Sequence, residues 1–146
     1  MPETSGEYAL SFDGSDDHVQ LGDILPSGSK TISAWVRIPP DSERTIQDND
    51  DYFIFSRYDG SNHNLFYFND GKELRFLNQN KDIYFDVELD NNRWHHVAYT
   101  FKDAETTTSN QSLYLNGELL TTNTGTNSLS SGIDSIGTFA GDTSQR

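Results

Sequence analysis

The chain has no cysteine among its 146 residues. No disulfide staples the fold, and no thiolate is present to act as nucleophile or metal ligand. Stability has to come from packing or from a bound metal. Lysine is scarce, confined to Lys30, Lys72, Lys81 and Lys102. Lys and Arg together number 10 against 23 Asp and Glu, a formal net charge of −13. Phosphate backbones and anionic membranes are held by clustered Lys and Arg, so nucleic acid and lipid surfaces are poor partners for this chain. No run is long and apolar enough for a membrane helix. Residues 1–6 are polar, without the apolar core of a signal peptide, and read as the start of a domain cut from a longer chain. Sustained helical periodicity is missing as well, which removes the helical fold classes.

What is present is alternation. From Arg93 to Thr122, Val97, Tyr99 and Phe101 alternate with Ala98 and Thr100, the period of two that marks a strand with one face buried. Leu113 and Leu115 flank Tyr114 in the same way. Asn116-Gly117 then reverses the chain, because both residues accept the positive φ of a two-residue hairpin turn. Nine Phe and seven Tyr supply side chains large enough to fill the space between two sheets. At this length a single domain, 1–146, is expected.

Upstream the same grammar repeats. Glu7–Phe12 reads as a first strand, with Tyr8, Leu10 and Phe12 on one face, and His18–Leu21 as the second. In Thr31–Ile38 the residues Ile32, Ala34, Val36 and Ile38 share a face, with Trp35 on the other. Pro39-Pro40 ends that strand, since proline has no ladder donor. Tyr52–Tyr58 is almost unbroken apolar sequence, as expected when both faces are covered. Asn64–Asn69, Glu73–Asn78, Asp82–Val87 and Ile133–Phe139 complete the set, separated by Asp-Gly and polar turns. A polar loop is expected over Lys102–Gln111. Ten or eleven short strands at regular spacing predict an all-β, two-sheet antiparallel sandwich.

Taken in order, YALSFDGSDDHVQL, TISAWVR, IFSRYDG, ELRF, RWHHVAYTF, LYLNGELL and SIGTFAG resemble the laminin-G-like jelly roll of the concanavalin A-like lectin/glucanase superfamily. The match covers nearly the whole chain, and its most specific part is Trp94-His95-His96-Val97-Ala98 followed by Leu113-Tyr114-Leu115-Asn116-Gly117. The resemblance implies a jelly-roll sandwich, an extracellular or cell-surface setting, and flanking domains in a larger protein. It also implies a final strand, roughly Phe-x-Gly-x-Ile-Asp-Glu-Val-Arg-Ile-Tyr, lying beside the first; that motif does not occur before Arg146. The chain therefore reads as a fragment in which the Glu7–Phe12 strand either has an unpaired edge or is covered by some other segment or chain.

Three kinds of chemistry have candidates. Enzymes of this superfamily carry Glu-x-Asp-x-x-Glu, two carboxylates on one strand face. The nearest match, Glu88-Leu89-Asp90-Asn91-Asn92-Arg93, ends in Arg where the acid belongs and reads as a turn, so catalysis is not expected. His95 and His96 are adjacent, hence on opposite faces of a strand, and cannot jointly hold one ion; one packed ring and one partly exposed ring are expected. The excess acid reads as a solubilising surface, as adaptation to high salt, or as a calcium site, since calcium takes several carboxylate and carbonyl oxygens from loops. The preferred calcium turn is Asp13, Asp16 and Asp17; a second acidic loop is Asp48 to Asp51. For a sugar, the cluster Tyr58, Asp59, Asn62 and His63 offers an aromatic platform beside hydrogen-bonding side chains on a loop held by rigid strands. An ordinary hairpin is the competing account of that cluster. Trp35 and Tyr67 are further outward-facing aromatics, with sheet packing the plainer role for Trp35.

These readings converge on a non-catalytic carbohydrate-binding or adhesion module of a secreted or surface multidomain protein, assisted by calcium, with a glycan as partner. The alternative is a module that binds an extracellular protein, or a spacer in a surface or phage-tail-like protein. A glucanase-type hydrolase comes third.

Overall fold

In the computed structural model, residues 9–12, 17–26, 28–38, 51–69, 72–78, 82–89, 92–103, 109–125 and 131–137 are described. Ten strands are formed, with no helix among the described residues. They are β1 (Val19–Gly22), β2 (Lys30–Arg37), β3 (Asp51–Tyr58), β4 (His63–Asn69), β5 (Glu73–Asn78), β6 (Ile83–Asp86), β7 (Trp94–Lys102), β8 (Ser109–Leu115), β9 (Glu118–Gly125) and β10 (Ile133–Ile136). They make a six-stranded sheet in the order β1-β10-β3-β4-β5-β6 and a four-stranded sheet in the order β2-β7-β8-β9. Every ladder is antiparallel. The expected two-sheet sandwich is what the chain forms.

The alternating positions define the core. Phe55, Phe66, Phe68, Leu74, Phe76 and Ile83 come from the six-stranded sheet, and meet Val97, Tyr99, Phe101 and Leu113 from the other. The two sheets meet through an aromatic contact. Phe76 and Tyr99 lie parallel, with centroids 3.6 Å apart and planes 2° apart. Phe66 sits tilted against both, at 6.3 Å and 6.4 Å. The Tyr99 hydroxyl, too deep for water, donates to Gln111 Oε1 at 3.0 Å, and burial pushes its pKa well above the ordinary tyrosine value. Gln111 is itself fully buried.

Two expectations need correction. Residues 9–12 form no strand: Leu10 is exposed, and Phe12 lies instead over the end of β10. Alternation alone does not make a strand, because the backbone also needs a ladder partner. Among the described residues none pairs there, and β1 is the sheet edge. Phe12 fixes this contact at Gly137, whose φ is 83°; a Cβ there would stand 2.4 Å from the Phe12 ring. The loop expected over Lys102–Gln111 is shorter than the sequence suggests. Asn110 and Gln111 pair with Lys102 and Phe101 on one side and with Thr124 and Asn123 on the other. Two neighbouring ladders override the polar composition of that segment.

The hairpin at Asn116-Gly117 forms as expected, with φ of 51° and 84°. Its Asn116 side chain ties the turn back to β7: Oδ1 accepts from the His96 amide at 3.0 Å, and Nδ2 lies 3.2 Å from His95 Nδ1. His95 points inward and is buried, while His96 points outward.

Candidate functional site

The outer face of the four-stranded sheet follows from strand parity. Ile32, Ala34 and Val36 of β2, Val97, Tyr99 and Phe101 of β7, and Leu113 and Leu115 of β8 pack on the core. Their neighbours in sequence therefore point outward. Register then sorts these outward residues into rows across the sheet. Arg37 stands opposite Trp94, and Trp35 opposite His96. Ser33, Ala98, Tyr114 and Leu119 form the next row, and Thr31, Thr100, Ser112 and Thr122 the one after. Lys102, Asn110 and Thr124 form the last row.

The rows change character along the strands. The end beside the Asn116-Gly117 turn is aromatic. Trp35 is 66 % exposed, Trp94 45 % and Leu119 55 %. Both tryptophans of the chain are thus on one face, each with a fixed neighbour. The Trp35 ring is 5.3 Å from the His96 ring at a 54° tilt. The Arg37 guanidinium lies 5.6 Å from the centre of the Trp94 ring, a cation–π contact that holds the indole in place. The far end carries hydroxyls and amides. No outward position in these rows is Asp or Glu, although the chain holds 23 of them.

The densest electrostatic feature lies elsewhere, inside the six-stranded sheet, where β3 and β10 pair Arg57 with Asp134. Arg57 is 2 % exposed and Asp134 0 %. Arg57 Nε donates to Asp134 Oδ1 at 2.6 Å, and Nη2 to Asp134 Oδ2 at 2.7 Å. The same Nη2 also donates to Asp23 Oδ1 at 2.6 Å. Asp134 Oδ2 accepts two backbone amides as well, from Ile24 and Leu25, each at 2.8 Å. One carboxylate therefore fixes β10 to β3 and anchors the segment that follows β1. Hydrogen bonding to Asp134 raises the Arg57 pKa further above its ordinary value, against the pull of desolvation. Nearby Lys30 lies 5.1 Å from the Phe101 ring centre. Burial, together with the Arg57 charge, lowers its pKa to about 8. With both Asp134 oxygens engaged in holding β10, β3 and the segment after β1 together, this network is a structural clamp.

A laminin G family model, described as the concanavalin A-like lectin/glucanases superfamily, matches residues 13–145. The chain belongs to this superfamily. Among curated proteins none matches it. Membership supports a carbohydrate- or protein-binding module in general terms, in a superfamily that also contains glycosidases.

The expected site residues of this concanavalin A-like domain can now be placed. Tyr58, Asp59, Asn62 and His63 do come together, in the turn between β3 and β4. Tyr58 and His63 are a register pair, and their rings stack at 4.7 Å and 13°. Asp59 Oδ1 accepts the amides of Ser61 and Asn62 at 2.9 Å and 2.7 Å, and Asp59 Oδ2 accepts from Asn62 Nδ2 at 3.1 Å. The Tyr58 hydroxyl donates to the Gly60 carbonyl at 2.7 Å. The polar groups of Tyr58, Asp59 and Asn62 are engaged in closing the hairpin, an Asx turn in which the aspartate replaces backbone partners. Asp13, Asp16 and residues 48–50 lie outside the described residues; Asp17 is exposed, and Asp51 Oδ1 accepts from Asn69 Nδ2 at 2.9 Å. No cluster of three potential metal ligands occurs among the described residues. Glu88 lies between β6 and β7, in no strand. Trp35 does face outward. Tyr67 stands on the outer face of its own sheet but is only 5 % exposed, with the Arg75 guanidinium 3.5 Å from its hydroxyl.

In sequence the tryptophan of β2 and the Trp94-His95-His96 motif stand far apart. Their union needed the register Trp35↔His96 and Arg37↔Trp94. The parity of each strand was the available signal, and strand pairing was the missing piece.

Proposed function

We propose that this domain is a non-catalytic glycan-binding module of a secreted or surface multidomain protein, with its binding surface on the outer face of the four-stranded sheet. The observation that carries the reading is the exposed pair Trp35 and Trp94 on one carboxylate-free face, beside Tyr114 and rows of hydroxyls and amides. Indole faces stack on the apolar faces of sugar rings, and hydroxyl and amide side chains both donate to and accept from sugar hydroxyls. Neighbours hold the rings, so little rotamer freedom is lost on binding.

The test is a glycan array on the folded chain and on Trp35→Ala. An exposed anchor of this kind is worth about 2 kcal/mol, or roughly 30-fold in Kd. Trp35→Ala is expected to lose most of the signal with unchanged melting. Full binding by Trp35→Ala, together with loss in His63→Ala, would move the site to the Tyr58–His63 turn. A blank array from folded protein would favour a protein partner, for which Leu119 and the tryptophans supply apolar surface. Repeating the array in EGTA tests calcium assistance from the Asp13, Asp16 and Asp17 turn. Binding that survives chelation would remove calcium from the proposal.

A further inference from the structure

Beyond Tyr114 and Leu119, the same two strands carry an open cavity of about 390 Å³ lined by Asn110, Ser112, Thr122, Asn123 and Thr124. It continues the outward face, because the pairs Ser112↔Thr122 and Asn110↔Thr124 are the next rows along β8 and β9. Its lining is hydroxyl and amide throughout, groups that each donate and accept. Asn123, paired with buried Gln111 and so on the inward parity of β9, borders the cavity at the sheet edge: Nδ2 donates to the Asp82 carbonyl at 3.2 Å, and Oδ1 accepts the Thr124 amide at 2.8 Å.

Size and charge limit what fits. Trp35 and Thr124 are three strands and three rows apart. With strands ~4.8 Å apart and a rise of ~3.3 Å per residue, the track runs roughly 25 Å, well beyond one or two sugar rings. A ligand carboxylate or sulfate would meet no cation among the five lining residues, although Lys102 stands opposite Asn110 in the adjoining strand, and the chain's net charge of −13 disfavours anions.

Resting on the glycan reading above, we propose that the Asn110–Thr124 cavity is a second subsite of the tryptophan face, and that the ligand is a linear, uncharged glycan longer than a disaccharide. Its rings stack at the aromatic end, and the hydroxyls of more distant units are held in the cavity. The domain therefore reads chain length as well as sugar chemistry.

The test is calorimetric titration of the full chain with cello-, xylo-, manno- and laminari-oligosaccharides as disaccharide, tetrasaccharide and hexasaccharide, with hexagalacturonate as the charged counterpart. In the series that binds, the hexasaccharide is expected to bind about tenfold tighter than the disaccharide, and hexagalacturonate more weakly. Thr122→Arg plugs the cavity from an exposed strand position; it should bring the hexasaccharide down to the disaccharide level and leave the disaccharide unchanged. Should Thr122→Arg not fold, Asn110→Ala reads the same loss. Equal affinity across lengths, preference for hexagalacturonate, or an unaffected Thr122→Arg would overturn the inference while leaving the glycan reading standing. Binding to no member of the panel overturns the inference, and the glycan reading falls with it only if the array is blank too.

Discussion

Asp134→Ala is expected to destabilise the domain by about 3–5 kcal/mol, the range for breaking a buried ion pair by removing one partner. The carboxylate accepts from Arg57 Nε and Nη2 and from the amides of Ile24 and Leu25. Its loss removes the acceptor from all of these donors, the Arg57 groups deeply buried and the Ile24 and Leu25 amides part-buried. Arg57 would keep Asp23, which is partly solvated, and would still face the charge of Lys30. The effect should therefore fall at the upper end of the range. Urea titration checks it, and a loss below about 1 kcal/mol would show that Asp23 or water replaces Asp134. A second pair of variants separates clamp from charge. Arg57→Met with Asp134→Leu removes both ions and fills the volume, and such exchanges are often neutral or stabilising by about 1–4 kcal/mol. If the double variant is as unstable as Asp134→Ala, the backbone amides of Ile24 and Leu25 set the cost, rather than the ion pair.

This clamp also marks what the sequence concealed. Arg57 interrupts YFIFSRY, an otherwise apolar strand, and Asp134 interrupts IDSI. In sequence neither residue points to the other. Only the pairing of β10 with β3, 77 residues apart in sequence, makes them partners. Local pattern does identify strands, since burial alternates along β2 and the Asn116-Gly117 turn fixes the β8–β9 hairpin. It does not identify neighbours. For the same reason Gln111, polar and within a segment expected as loop, is fully buried opposite Phe101 and accepts from the Tyr99 hydroxyl. The candidate site shows the limit from the other side. The Tyr58–His63 cluster is adjacent in sequence and is readable there, and the structure brings its residues together in one turn, where the Tyr58, Asp59 and Asn62 side chains are hydrogen-bonded. The tryptophan face is assembled from strands far apart in the chain, so no local window contains it.

Phe76→Ala is expected to cost about 3–5 kcal/mol, the range for truncating a buried aromatic. Phe76 joins the two sheets by stacking parallel to Tyr99, with ring centroids 3.6 Å apart. Removing it opens a cavity bounded by Phe66 and Tyr99, and both are pinned. Phe66 is held by its own ladders to β3 and β5, and Tyr99 by its hydrogen bond to Gln111. A void whose walls cannot collapse lies at the costly end of such substitutions. Tyr99→Phe gives the complementary measurement, because it keeps the ring contact and leaves Gln111 Oε1 without its donor, at about 1–3 kcal/mol. The two changes share Tyr99, so their costs should not add; a double-mutant cycle is expected to show coupling of about 0.5 kcal/mol or more. Thermal melting should place Phe76→Ala roughly 10 °C below the parent. A shift of only a degree or two would mean that the sheets close over the gap, and that the core depends less on this ring pair than on the surrounding leucines and valines. Glycan binding should persist in Phe76→Ala below its melting point, because the tryptophan face rests on β2 and β7, whose direct pairing does not pass through Phe76.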